Sequence, residues 1–159
     1  MILNFFKLIG FTKPTDRTAT NLKAFLMVIK YCEHGKTDDA VYYIRNGGSK
    51  LTSLASHPMG KGAKGTTSAS GAYQIVKGTW LEVKAKLNLP DFSPKSQDLA
   101  AVSILKSKGA LELIKRGKLE QAIKKLPYKL WTSLPGKFEQ QKTIAQVKVV
   151  YEKAGGKYI

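Results

Sequence analysis

Cysteine is almost missing from this chain: Cys32 is the only one in 159 residues, which excludes an internal disulfide framework and any cysteine-rich zinc module. Such a chain suits a reducing compartment. Histidine is nearly as scarce, with only His34 and His57. His34 follows Glu33 directly, without the H-E-x-x-H spacing, so a zinc amidase or zinc peptidase lacks its ligands and no cofactor or metal is expected. A membrane-spanning run is also missing. The one apolar stretch, Met1 to Phe11, is short and interrupted by Lys7. It has neither the basic start nor the small-residue cleavage site of a secretory signal, so it reads as a packed or surface-lying arm, and the sequence shows no export address. Acidic residues are few, 11 Asp and Glu against 27 Lys and Arg, which leaves a formal charge of +16. The partner or the surroundings are therefore anionic: nucleic acid, an anionic envelope surface or an acidic wall polymer. A nucleic-acid-binding module would show a helix-turn-helix or an aromatic base-stacking platform, and neither is recognisable.

What is present fits one domain. At 43% hydrophobic and 24% charged residues, the composition excludes disorder and collagen, and the length suits a single core. Lys13 to Thr20 reads as a polar linker, so the expected division is an arm and linker over 1–20 and a folded domain over 21–159, with Thr20 or Asn21 capping the first helix. On that helix Leu22, Phe25, Leu26 and Ile29 recur at i, i+3, i+4 and i+7. Glu33 extends the stripe, seven residues after Leu26 and four after Ile29. A carboxyl group held against apolar side chains has its charged form disfavoured and keeps a proton to give at neutral pH. The alternative is a helix-end glutamate paired with a lysine. Asp38 and Asp39 follow, either as a second carboxylate or as solvated turn residues.

The runs Val41–Arg45 and Gly48–Leu54 flank Asn46-Gly47, which predicts one small β-hairpin. His57 to Ala72 is rich in Gly, Ser, Thr and Lys and reads as a mobile loop. It contains a literal G-x-G-x-x-G, Gly60 to Gly65, but no strand leads in and no amphipathic helix opens from it, so a dinucleotide site is not expected. Helices are then predicted around Trp80–Leu87, from Ser93-Pro94 onward, at Leu111–Ile114, at Leu119–Leu126 and over Phe138–Lys153, with Gly155 as the stop. The expected class is α+β: mostly helical, with a small hairpin beside the glutamate-bearing helix.

Six segments, in order, carry a resemblance: Glu33-His34-Gly35; Ser56-His57-Pro58; Ser70 to Ile75; Asp91 to Asp98; Leu130 to Gly136; and Ala154-Gly155-Gly156. Over about Leu22 to Gly156 the chain resembles the lambda-type phage endolysins, lytic transglycosylases of the lysozyme superfamily. The resemblance implies a lysozyme-like fold. It also implies cleavage of the β-1,4 bond between N-acetylmuramic acid and N-acetylglucosamine in peptidoglycan, with Glu33 as the single catalytic carboxylate and 1,6-anhydro ends as products. Ser70, Tyr73 and Gln74 are its implied sugar-cleft residues, an aromatic ring and an amide being suited to a saccharide. Tyr43, Ser53 and Ser56 stand where resembling enzymes carry acidic residues, and Tyr43 joins the expected substrate-binding set. Trp131 is expected in the core. The implied protein is a monomer made in the host cytoplasm, reaching glycan strands after a separate membrane-permeabilising factor has acted. The alternatives kept open are a hydrolytic muramidase of the same fold and a cationic nucleic-acid-binding module.

Overall fold

The computed structural model describes residues 16–159; the expected apolar arm at Met1 to Phe11 lies outside them. Among the described residues six α-helices follow one another: α1 Asp16–His34, α2 Lys77–Leu87, α3 Pro94–Ser107, α4 Leu111–Lys115, α5 Leu119–Lys125 and α6 Ile144–Lys153. Helix α1 packs on α4 and α6, while α2 packs on α3 and α4 on α5. Its buried stripe is the one the spacing predicts, with Leu22, Phe25, Leu26 and Ile29 all in the core. The helix starts earlier than expected, so residues 16–20 of the predicted linker belong to it. Asn21 is not a cap but a buried tie: its Nδ2 donates to Lys115 O at 3.2 Å and its Oδ1 accepts from Lys157 N at 2.9 Å. No described helix is long and apolar enough to cross a membrane.

The predicted hairpin does not form. Asp39–Tyr43 is a 3₁₀ helix, capped by Asp38, whose side chain accepts from Ala40 N. The described residues hold no strand, only the isolated bridges Ile44–Lys50, Arg45–Ser70 and Ser70–Ile75. The physical reason is that Val41 and Tyr42, adjacent in sequence, are both buried, whereas a half-buried strand sends neighbours to opposite faces. The turn itself is present, with Gly47 and Gly48 at φ near +87° and +88° and Arg45 N donating to Ser49 O.

The glycine-rich loop is tied to that turn. Asn46 Oδ1 accepts from Thr66 N at 2.8 Å and Thr67 N at 3.2 Å. A side chain at Gly65 would stand 2.5 Å from Asn46 O, so this glycine serves close backbone approach and not a phosphate cradle. His57, read from sequence as a loop residue, is buried against Trp80 and Phe92, with ring centroids at 6.0 and 4.9 Å. Its Nδ1 accepts from Met59 N, so Nε2 carries the proton and donates to Ile75 O at 2.8 Å.

Helix α3 begins as predicted, with Ser93 accepting from Ser96 N ahead of Pro94. Helix α6 begins later than predicted, at Ile144, behind a capping box of Thr143 and Gln146. Residues 132–141 make turns instead, Glu139 N donating to Thr132 O and Gln141 N to Ser133 O. Gly155 at φ +87° ends the last helix as expected.

Candidate active site

Glu33 sits in the last turn of α1, half-buried, where the apolar stripe ends. One hundred residues away in sequence, Ser133 turns its hydroxyl to Glu33 and donates to Oε1 at 2.5 Å. Burial pushes the Glu33 carboxyl up to about 7; the Ser133 hydrogen bond opposes this by favouring the charged form, and the negative charge of Glu139 adds to it. A carboxyl group that releases its proton near neutrality can donate a proton and then take one back in the same pH range. The nearby carboxylate that acts on Glu33 is thus Glu139, itself exposed and held by Thr132 Oγ1. Asp38 and Asp39 are exposed, and Asp38 is occupied as the 3₁₀ cap.

Cys32, beside Glu33, is buried, and its thiol is pushed up to about 12, first by burial and then by the Glu33 charge. With both His57 ring nitrogens engaged elsewhere, no thiol–imidazole pair exists here. Among the described residues no group of three or more His, Cys, Asp or Glu is arranged to hold a metal ion.

His34 Nε2 donates to Gly71 O at 3.0 Å, joining α1 to the turn Gly71–Gln74. Gln97 on α3 holds the same turn, its Oε1 accepting from Ala72 N at 2.9 Å while its Nε2 donates to Phe92 O at 2.8 Å. A side chain at Gly71 would collide with Gln97 Oε1 at 2.1 Å, and its φ is +77°, so this turn requires glycine.

The residues expected to meet a sugar divide into two pairs. Tyr43 is 41% exposed, and Gln74 is half-buried, its Nε2 donating to Gly71 O and Ile44 O. Ser70 and Tyr73 are each 1% exposed. As placed, they offer no surface to a saccharide and stand behind the turn, Ser70 donating to Ser68 O and Tyr73 to Asp98 Oδ1. Trp131 is in the core as expected, with φ +48° and Nε1 donating to Tyr73 O at 2.8 Å.

Sequence reasoning missed Ser133 and Glu139, which act on Glu33, and Asp98, which holds Tyr73. Ser133 and Asp98 lie inside segments that carry the family resemblance, but no local pattern marks a serine as the partner of a glutamate a hundred residues away.

The endolysin family model matches residues 23–158 of the chain. The endolysin of Escherichia phage lambda is 36% identical over 122 residues, covering 72% of this chain and 77% of the relative. The endolysin of Escherichia phage P2 is 30% identical over 162 residues, covering 90% and 98%. Among solved structures, bacteriophage lambda lysozyme complexed with a chitohexasaccharide superposes with a TM-score of 0.80 at 30% identity, over 94% of this chain and all of that one. A second structure of lysozyme from bacteriophage lambda gives 0.70 at 27% identity, with the same coverage. With a family match across most of its length and two such relatives, this chain belongs to the endolysin family.

Proposed function

We propose that the chain degrades peptidoglycan for host-cell lysis, cleaving the β-1,4 bond between N-acetylmuramic acid and N-acetylglucosamine as a lytic transglycosylase. The observation that carries this reading is Glu33: a carboxyl group at the end of a buried stripe, hydrogen-bonded by Ser133 and protonated to about pH 7. Membership of the endolysin family and the likeness to a lysozyme complexed with a chitohexasaccharide support the substrate class.

Glu33 gives its proton to the glycosidic oxygen as the bond from that oxygen to muramic C1 breaks. The resulting carboxylate takes the proton of the muramic C6 hydroxyl, whose oxygen bonds to C1. A 1,6-anhydro ring closes, Glu33 is protonated again, and no water is consumed. One carboxyl group suffices for both transfers, which suits a site where Asp38 and Asp39 are exposed and Asp38 is engaged as a cap. The exposed ring of Tyr43 and the amide of Gln74 are the proposed sugar contacts, with Ser70 and Tyr73 shaping the turn from behind. The chain is proposed to be made in the host cytoplasm and to reach the wall after a separate factor has permeabilised the membrane.

Mass spectrometry of fragments released from purified peptidoglycan tests the reaction. Muropeptides lighter by one water and without a reducing end are expected. Ordinary reducing ends would overturn the transglycosylase step and bring in a water molecule as nucleophile, with Glu139 as the carboxylate nearest in charge to Glu33.

A further inference from the structure

A ring of contacts starts and ends on the last turns of α1. From Lys30, one turn before Glu33, the buried ammonium donates to Tyr42 Oη at 2.6 Å and lies over the Tyr42 ring at 4.2 Å from its centroid. Tyr42 donates to Asp98 Oδ1 at 2.8 Å, and Tyr73 donates to the same oxygen at 2.5 Å. The Tyr73 carbonyl accepts from Trp131 Nε1 at 2.8 Å. Two residues on, Ser133 donates to Glu33, and the ring closes.

Burying a lysine, an aspartate and two phenols costs free energy unless every group finds its partner. Here Asp98 receives two donors and Lys30 has a hydroxyl and two aromatic faces, the second being Tyr73 at 5.7 Å. Both phenols are held well above their ordinary range by burial, followed by the Asp98 charge, so they remain donors. An apolar cluster would fill the same space. What the polar cluster adds is direction: each hydrogen bond fixes where the next residue stands.

We propose that Tyr73 and Asp98 are positioning residues for Glu33, acting through Trp131 and Ser133, and that Tyr73 serves the reaction from the core instead of touching the glycan. The inference rests on the reading of Glu33 as the acid. Trp131 is the hinge of the argument, since a non-glycine residue at φ +48° is held there only by what surrounds it. The Tyr73 carbonyl is the hydrogen-bond partner of its indole, and Asp98 fixes Tyr73.

A double-mutant cycle tests this on soluble peptidoglycan fragments. Tyr73→Phe removes one hydroxyl and keeps the ring. It is expected to lower kcat about 3- to 10-fold with KM within about twofold, because the donor to Glu33 is misplaced while the glycan contacts stay. The Ser133 bond favours charged Glu33, so loosening it moves the alkaline limb of the kcat profile to higher pH, in the same direction as Ser133→Ala. Other charged and titratable groups near this helix end are Glu139, whose charge reaches Glu33; His34, bonded to Gly71 O; Cys32, which stays a thiol; and Lys142, over the Tyr31 ring. None of them is altered by either substitution.

If Tyr73 acts through Ser133, the double variant is no slower than Ser133→Ala alone. Multiplying effects, or a lowered melting temperature with the alkaline limb unmoved, would overturn the inference. Tyr42→Phe cuts the ring between Lys30 and Asp98 and carries the same test should Tyr73→Phe fail to fold. Full lysis by Glu33→Gln would remove the underlying reading instead, so the two failures are distinguishable.

Discussion

Glu33, the proposed acid, is costly to hold in the folded chain, because burial disfavours its charged form. Folded, it keeps its proton to about pH 7; its ordinary value is 4.5. Between these values the folded state binds more protons than the unfolded, so Glu33 subtracts stability as pH rises through that window. Glu33→Gln is therefore expected to abolish lysis and to leave stability nearly unchanged below pH 4.5. Above pH 7 it is expected to raise stability by up to about 3 kcal/mol. Urea titrations at both ends of the range, beside a turbidity assay, check this; a variant less stable than the parent at pH 8 would contradict it. The same value predicts that lysis by the parent declines as pH rises above about 7. At this scale the placing of Glu33 at the end of a buried stripe was legible, because a carboxylate four residues after Ile29 on an apolar stripe is a local pattern. Ser133 was not, since its role depends on a contact across one hundred residues. Tyr73 shows the converse: its residue type suits a sugar, but only the fold decides that its hydroxyl meets Asp98.

Among the elements, the helices with chemical signals at their ends were the easiest to read. Ser93 before Pro94 located the start of α3, and the spacing of Leu22 to Ile29 located the buried face of α1. Removing the cap with Ser93→Ala is expected to cost about 1 kcal/mol, seen as a lower melting temperature with activity otherwise retained. The failures also have physical reasons. Asn46-Gly47 did mark a turn, but flanking β-branched and aromatic residues do not make strands when Val41 and Tyr42 must both face inward. Glycine, serine and lysine from His57 to Ala72 read as mobility, yet Asn46 Oδ1 gathers Thr66 and Thr67, a bond network no composition reveals.

For the molecule as a whole, the charge of +16 and the helical order were plain from the sequence, whereas the closure between distant parts was not. A surface so charged is drawn to anionic walls through forces that salt screens over roughly 10 Å at 0.1 M. Lysis of intact walls is expected to fall several-fold between about 0.05 and 0.5 M salt, while cleavage of small, uncharged glycan fragments changes much less. Equal salt dependence on both substrates would place the effect inside the cleft. The helix that carries Glu33 is tied at Asn21, whose amide reaches Lys115 on one side and Lys157 on the other, 94 and 136 residues later. On the ribosome that helix is made before both helices that pack on it. Its apolar stripe has no final cover until nearly all of the domain has been made, so the growing chain is a substrate for chaperones and proteases before it is a catalyst.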